Sequence, residues 1–155
     1  MSLITLLTHQ RERDRKSNTG QLVKAVLQQD CRVVVWDRVN PDKRLLEIIK
    51  LGYTGLLYPG DGGHVINCSA KKSVLTHFIV LDGTWQEAQK MYNHSPYLQL
   101  LPTIQIQSES PSQYHLRRNQ KPFGLCTAES VIAVLQNQDR PIQAAELRAS
   151  LMAFL

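Results

Sequence analysis

At 155 residues the chain is long enough for one domain with a real core, and its 43% hydrophobic content is ordinary for a globular protein. A balance of 18 Lys and Arg against 13 Asp and Glu gives a net charge of +5, which favours an acidic partner such as nucleic acid. The three cysteines, Cys31, Cys68 and Cys126, are far apart and include no C-x-x-C pair. That speaks against a disulfide framework and a zinc site, and for a reducing compartment. No basic-then-apolar leader and no run of membrane-spanning length is present, so the expectation is a cytoplasmic protein without a membrane partner.

In chain order, Leu3 to Thr8 reads as a first strand. A basic loop follows, with Arg11, Arg13, Arg15 and Lys16 interleaved with Glu12 and Asp14. Ser17 to Gly20 leads into a helix whose Leu22, Val23, Val26 and Leu27 share one face. Its first amides suit either a side-chain cap or an anion. Arg32 to Trp36 is an uninterrupted apolar strand, as expected of one buried on both faces of a parallel sheet. A helix with Pro41 at its first position carries Leu45, Leu46, Ile48 and Ile49 and stops at Gly52. Gly55 to Tyr58 is a third strand, ending in the glycine-rich stretch Pro59 to Gly63, and Val65 to Cys68 is a short extra one. Lys71 and Lys72 form a small basic point before the central segment.

Phe78 to Leu81 is an apolar run of strand length, and Gly83 permits a tight turn after it. Thr84 to Glu87 fits a capping box, so a helix begins there and runs to about Asn93 before Pro96. Asp82 therefore stands where a parallel strand gives way to a helix, on the ligand side of an open α/β sheet. Pro102 to Gln107 alternates as a half-exposed strand does. Thr127 is placed to cap a helix with Val131, Ile132, Val134 and Leu135, and Pro141 begins a last helix with Ala144, Leu147, Leu151 and Leu155 on one side. Strand–helix alternation with short connections predicts one three-layer α/β domain over residues 1–155 with a mostly parallel sheet. The five histidines show no ligand spacing, and no P-loop or nucleophile elbow is present. The residues alone lead to a basic α/β domain with a strand-end site near Asp82.

Asp82-Gly83-Thr84-Trp85 resembles the D-x-T-W signature of the DTW-domain family, and the likeness extends on both sides. Ser17 to Gly20 resembles the family's S/T-N-T-G segment, and Leu57 to Gly60 its strand-end Y-P segment. Ser95 to Leu98 with Leu101 and Pro102, then Tyr114, Leu116 and Arg117, then Cys126 to Glu129, match later elements in the same order, over roughly residues 3–135. The resemblance implies a tRNA-uridine aminocarboxypropyltransferase, which moves the 3-amino-3-carboxypropyl group of S-adenosylmethionine to a uridine ring nitrogen in tRNA. It implies a SPOUT-like fold with a C-terminal trefoil knot, a homodimer as one expected assembly, and no metal. Many members carry a cysteine-rich segment before the first strand; here no cysteine precedes Cys31. A SPOUT-type RNA methyltransferase and a non-catalytic RNA-binding module are the alternatives.

On that resemblance Asp82 either takes the uridine proton or holds the amino group of S-adenosylmethionine, with Glu129 as a second carboxylate. The donor is expected across Leu57, Tyr58 and Pro59, then Leu81, Gly83, Thr84 and Trp85, then Leu116, Arg117, Leu125, Cys126 and Thr127. Trp85 either lines the pocket or is core beneath the helix, the commoner place for a tryptophan, and Arg117 suits either the donor's carboxylate or an RNA phosphate. Arg15, Lys16, Asn18, Lys71, Lys72, Arg118 and Lys121 are the expected RNA contacts.

Overall fold

The computed structural model describes residues 2–16, 18–58, 64–66, 73–106 and 126–155. Among them six strands form one sheet: β1 (Ile4–Thr8), β2 (Cys31–Val35), β3 (Thr54–Leu57), β4 (His64–Ile66), β5 (His77–Asp82) and β6 (Thr103–Ile106). Their order is β2-β1-β5-β3-β6-β4, and every pairing is parallel. The helices are α1 (Gly20–Leu27), α2 (Lys43–Lys50), α3 (Trp85–Asn93), α4 (Pro96–Gln99), α5 (Thr127–Asn137) and α6 (Pro141–Phe154).

Period-2 alternation along the strands sorts the side chains into two cores. Ile4, Leu6, Phe78, Val80, Leu57 and Ile104 pack with Val23 and Leu27 of α1, with α5, and with Ala144, Leu147 and Leu151 of α6. Leu7, Val34, Ile79, Leu81 and Leu56 pack on the other face with Leu45 of α2, Ala88 and Met91 of α3 and Leu98 of α4. The result is three layers, as the strand–helix alternation predicts. β5 lies inside the sheet between β1 and β3, and all six of its residues are buried.

Several local expectations shift. β2 is the sheet edge, so Val33 and Val35 remain 46% and 37% exposed instead of being covered on both faces; the core on that side takes in Cys31 and stops short of them. Pro41 precedes the start of α2, and the cap is Asp42, whose Oδ1 accepts from the Leu45 amide at 2.8 Å. Gly52, at φ +84°, ends that helix region as foreseen. The cap of α5 is Cys126, one residue before the expected Thr127. Leu155, expected on the inner side of α6, is 47% exposed. Pro59 to Gly63 lies outside the described residues. So does 107–125, between β6 and α5, and the described residues do not show the expected trefoil knot.

Candidate active site

The last residue of β5 is a carboxylate at the starts of two helices. Asp82 is 2% exposed, and its Oδ1 accepts from the Thr127 hydroxyl at 2.8 Å. Its Oδ2 accepts from Asn18 Nδ2 at 3.2 Å and from the Thr8 hydroxyl at 3.4 Å. Thr127 is the first residue of α5, and Asn18 stands two positions before α1. Both helices therefore start beside this carboxylate, where their dipoles favour negative charge, and they reach it through the Thr127 and Asn18 side chains. Thr8 is in parallel register with Asp82 on the neighbouring strand, which brings their side chains to the same face.

The approach is close enough to dictate a glycine. A Cβ on Gly20 would stand 2.5 Å from Asp82 Oδ2 and 2.8 Å from Asn18 Oδ1. Asn18 Oδ1 accepts from the Gly20 amide, the capping contact that Thr19 does not make. The Thr19 hydroxyl instead accepts from the Ala128 amide of α5 at 3.1 Å. Thus α1 and α5 are tied together at their starts, once through Thr19 and once through Asp82.

A second polar cluster lies on the other side of the turn. The expected capping box of α3 forms: Thr84 Oγ1 accepts from the Glu87 amide at 3.2 Å, and Glu87 Oε1 accepts from the Thr84 amide at 2.9 Å. The same carboxylate takes a bidentate pair from Arg15, Nη1 and Nη2 each at 2.8 Å. Arg15 Nη1 also donates to Glu12, which is 0% exposed. His9 Nδ1 approaches Glu87 Oε2 at 3.4 Å, and its ring stacks on Trp36 at 6.0 Å between centroids. Burial pushes Glu87 up, but the hydrogen bonds from Arg15 and the Thr84 amide outweigh it and hold the carboxyl below its usual range. Burial lowers His9 more than Glu87 raises it, so the ring favours its neutral form.

Tyr58, just past β3, and Trp85, first in α3, are half-buried and meet at 5.4 Å, while Tyr58 stacks on Tyr92 at 4.1 Å. Leu57 and Leu81 are 3% and 1% exposed and belong to the two cores, so their backbones are what they can offer a ligand. Cys126 is buried, its amide donates to Glu129 Oε1 at 3.0 Å, and burial raises its thiol to about 11, which favours the protonated form. The structure thus brings Asp82, Gly83, Thr84, Trp85, Thr127, Asn18 and Arg15 to one edge of the sheet. It turns Arg15 and Asn18 inward and leaves Lys16 exposed. Pro59, Lys71, Lys72, Leu116, Arg117, Arg118, Lys121 and Leu125 lie outside the described residues. Sequence reasoning missed Thr8, His9, Glu12, Gly20 and Glu87 as members of this constellation. Glu87 was legible only as a helix cap and Gly20 only as part of a motif; what joins all five to this site is contact across distance, which no local signal gives. Among the described residues no three His, Cys, Asp or Glu side chains are grouped to hold a metal, and no helix is long and apolar enough to cross a membrane.

Together these features define an open parallel α/β domain with a buried carboxylate joining two helix starts at the carboxyl edge of the sheet, the edge where such sheets usually bind ligands. The DTW domain model matches residues 2–155, and the chain belongs to the DTW-domain family. It is similar to the tRNA-uridine aminocarboxypropyltransferase 2 of Drosophila melanogaster, with 28% identity over 158 residues. The match covers 97% of this chain and 61% of that relative, so the chain spans less than two thirds of the relative's length. No solved structure matches.

Proposed function

We propose that the protein transfers the 3-amino-3-carboxypropyl group of S-adenosylmethionine to a uridine ring nitrogen in tRNA. The reading rests on family membership, on the activity named for the Drosophila relative, and on one observation: the family-signature carboxylate is buried at the end of a central strand between two helix starts. In the reaction the ring nitrogen loses its proton, a nitrogen–carbon bond forms, and the carbon–sulfur bond of the sulfonium breaks. Methylthioadenosine leaves as a neutral thioether and the proton passes to solvent, so no metal is required to stabilise the leaving group.

The geometry favours Asp82 as a positioning group over Asp82 as the proton acceptor. Three of its roughly four lone-pair sites accept from Thr8, Asn18 and Thr127. A base needs a lone pair turned toward the proton that it takes. Asp82 instead fixes the starts of α1 and α5 relative to the end of β5, and orientation of this kind is a large source of rate. The half-buried rings of Tyr58 and Trp85 suit the flat or apolar parts of the donor.

Incubation of the protein with S-adenosylmethionine and unmodified tRNA, followed by nucleoside mass spectrometry, tests the proposal. The expected product is an aminocarboxypropyl uridine together with methylthioadenosine. A methylated nucleoside with S-adenosylhomocysteine would install the methyltransferase reading in its place, and cofactor-independent RNA binding without product would leave a binding module.

A further inference from the structure

The loop between β1 and α1 sorts its charges with a period of three. The Glu12 amide donates to the His9 carbonyl at 2.9 Å, the Arg15 amide to Glu12 at 3.1 Å, and the Asn18 amide to Arg15 at 3.1 Å. Three successive i to i+3 turns place residues 9, 12, 15 and 18 on one edge, as in a 3-10 helix. That edge points inward: His9, Glu12 and Asn18 are buried, and Arg15 lies between Glu12 and Glu87. The intervening Arg11, Arg13, Asp14 and Lys16 are exposed. Among the described residues, Arg11, Arg13 and Lys16 form no ion pair. Both ends of the loop are fastened to Asp82, through the His9 amide on its carbonyl at 3.0 Å and through Asn18 on its carboxylate at 3.2 Å.

We propose that Arg11, Arg13 and Lys16 are the contacts this domain makes with the phosphate backbone of its RNA beside the Asp82 site. The proposal rests on the RNA-modifying reading above and names the surface that would serve it. Arg15 is excluded from this surface because Glu12 and Glu87 already answer its charge. The outward cations are the ones without an ion pair among the described residues, and the ion pairs behind them order the loop before RNA arrives, which lowers the entropy cost of binding. Flexible cations flanking a strand-end site suit the phosphates on either side of an exposed nucleotide, with no base reading needed.

The test measures tRNA affinity across a potassium chloride series for wild type, for the triple variant R11Q/R13Q/K16Q, and for a control, R44Q/K50Q/R148Q. The control removes the same charge from exposed positions elsewhere, and its Arg44 shares a cleft with Ser2 and Gln29 near the starts of the strands. Each phosphate contact contributes roughly 0.7–0.9 to the slope of log affinity against log salt. The loop variant should therefore flatten that slope by about two to three, while melting temperature and calorimetric binding of S-adenosylmethionine stay as in wild type. A slope equal to wild type, a change matched by the control, or no tRNA binding by wild type would each overturn the proposal. Loss of the slope change with transfer chemistry intact would sink this surface alone. Intact salt-dependent binding without transfer would sink the functional reading alone.

Discussion

Strand β5 begins and ends on a buried polar residue, and the two ends solve the same problem differently. At its start the two ring nitrogens of His77 are hydrogen-bonded, one donating and one accepting, to the Thr5 hydroxyl at 2.8 Å and the Thr54 hydroxyl at 3.0 Å, one from each neighbouring strand. Burial carries its pKa down to about 4, so the ring is neutral and the sheet itself satisfies it. At the other end Asp82 is held by groups from β1, from the loop before α1 and from α5, with Glu87, Arg15 and Glu12 on the opposite side of the turn. The lower end is a closed hydrogen-bond set between strands. The upper end adds to the β1 ladder two elements that no ladder fixes, the loop before α1 and the start of α5, and it gathers charge where helix starts can favour it. A closed set contributes stability; a set that ties movable elements to a strand end can also set the geometry of a site.

Changes at the upper end should therefore cost activity, and changes at the lower end stability alone. The largest effect is expected for Asp82→Asn, which keeps the shape but gives Asn18 and Thr127 a partner of altered polarity. Transfer should fall by at least about 100-fold, as for other losses of orientation, while circular dichroism stays native. Near-wild-type turnover in that variant would remove Asp82 from the mechanism. Gly20→Ala sharpens the point without removing a polar group, because the added methyl meets Asp82 Oδ2 at 2.5 Å. It should cost about 1–3 kcal/mol of stability and most of the activity; an alanine variant as active as wild type would show that the carboxylate is free to move.

Next comes Arg15→Met, which withdraws the guanidinium from between two buried carboxylates. A loss of about 3–5 kcal/mol in urea denaturation is expected, together with weaker transfer, since Asn18 is carried on the same loop. A loss under about 0.5 kcal/mol would mean that the network adds no more than a surface pair does.

The lower end should reveal itself only through pH. His77 has its ordinary value of 6.5 when unfolded and about 4 when folded, so the unfolded chain binds more protons between those values. Stability from this group is complete above about pH 6.5 and declines as pH falls toward 4, by up to about 1.4 kcal/mol per unit. His77→Gln should flatten this acid limb while sparing kcat near neutrality, and an unchanged limb would contradict the neutral, buried ring. The smallest effect concerns the cysteines. Burial raises Cys31 and Cys126 to about 11, so neither should react with a thiol reagent at pH 8 until the protein unfolds. Rapid native labelling at Cys126 would place that residue in an open, activated setting.

Local chemistry was enough to read β5, the turn at Gly83, the capping box of Thr84 and Glu87, and the sites of α1, α5 and α6, because each depends on residues within a few positions of one another. The three-layer parallel architecture also follows from strand–helix alternation, and the family from an ordered set of short motifs. What sequence could not supply was any pairing across distance. The Asp82 bonds to Thr8, Asn18 and Thr127 join residues 74, 64 and 45 positions apart, and the Arg15–Glu87 pair spans 72. Nothing in the basic run Arg11 to Lys16 marks Arg15 as the member that turns inward. Which of those cations faces water, and which strand lies at the sheet's edge, depends on register and packing, because periodicity fixes how often a side chain turns and only the assembled neighbours fix what it meets.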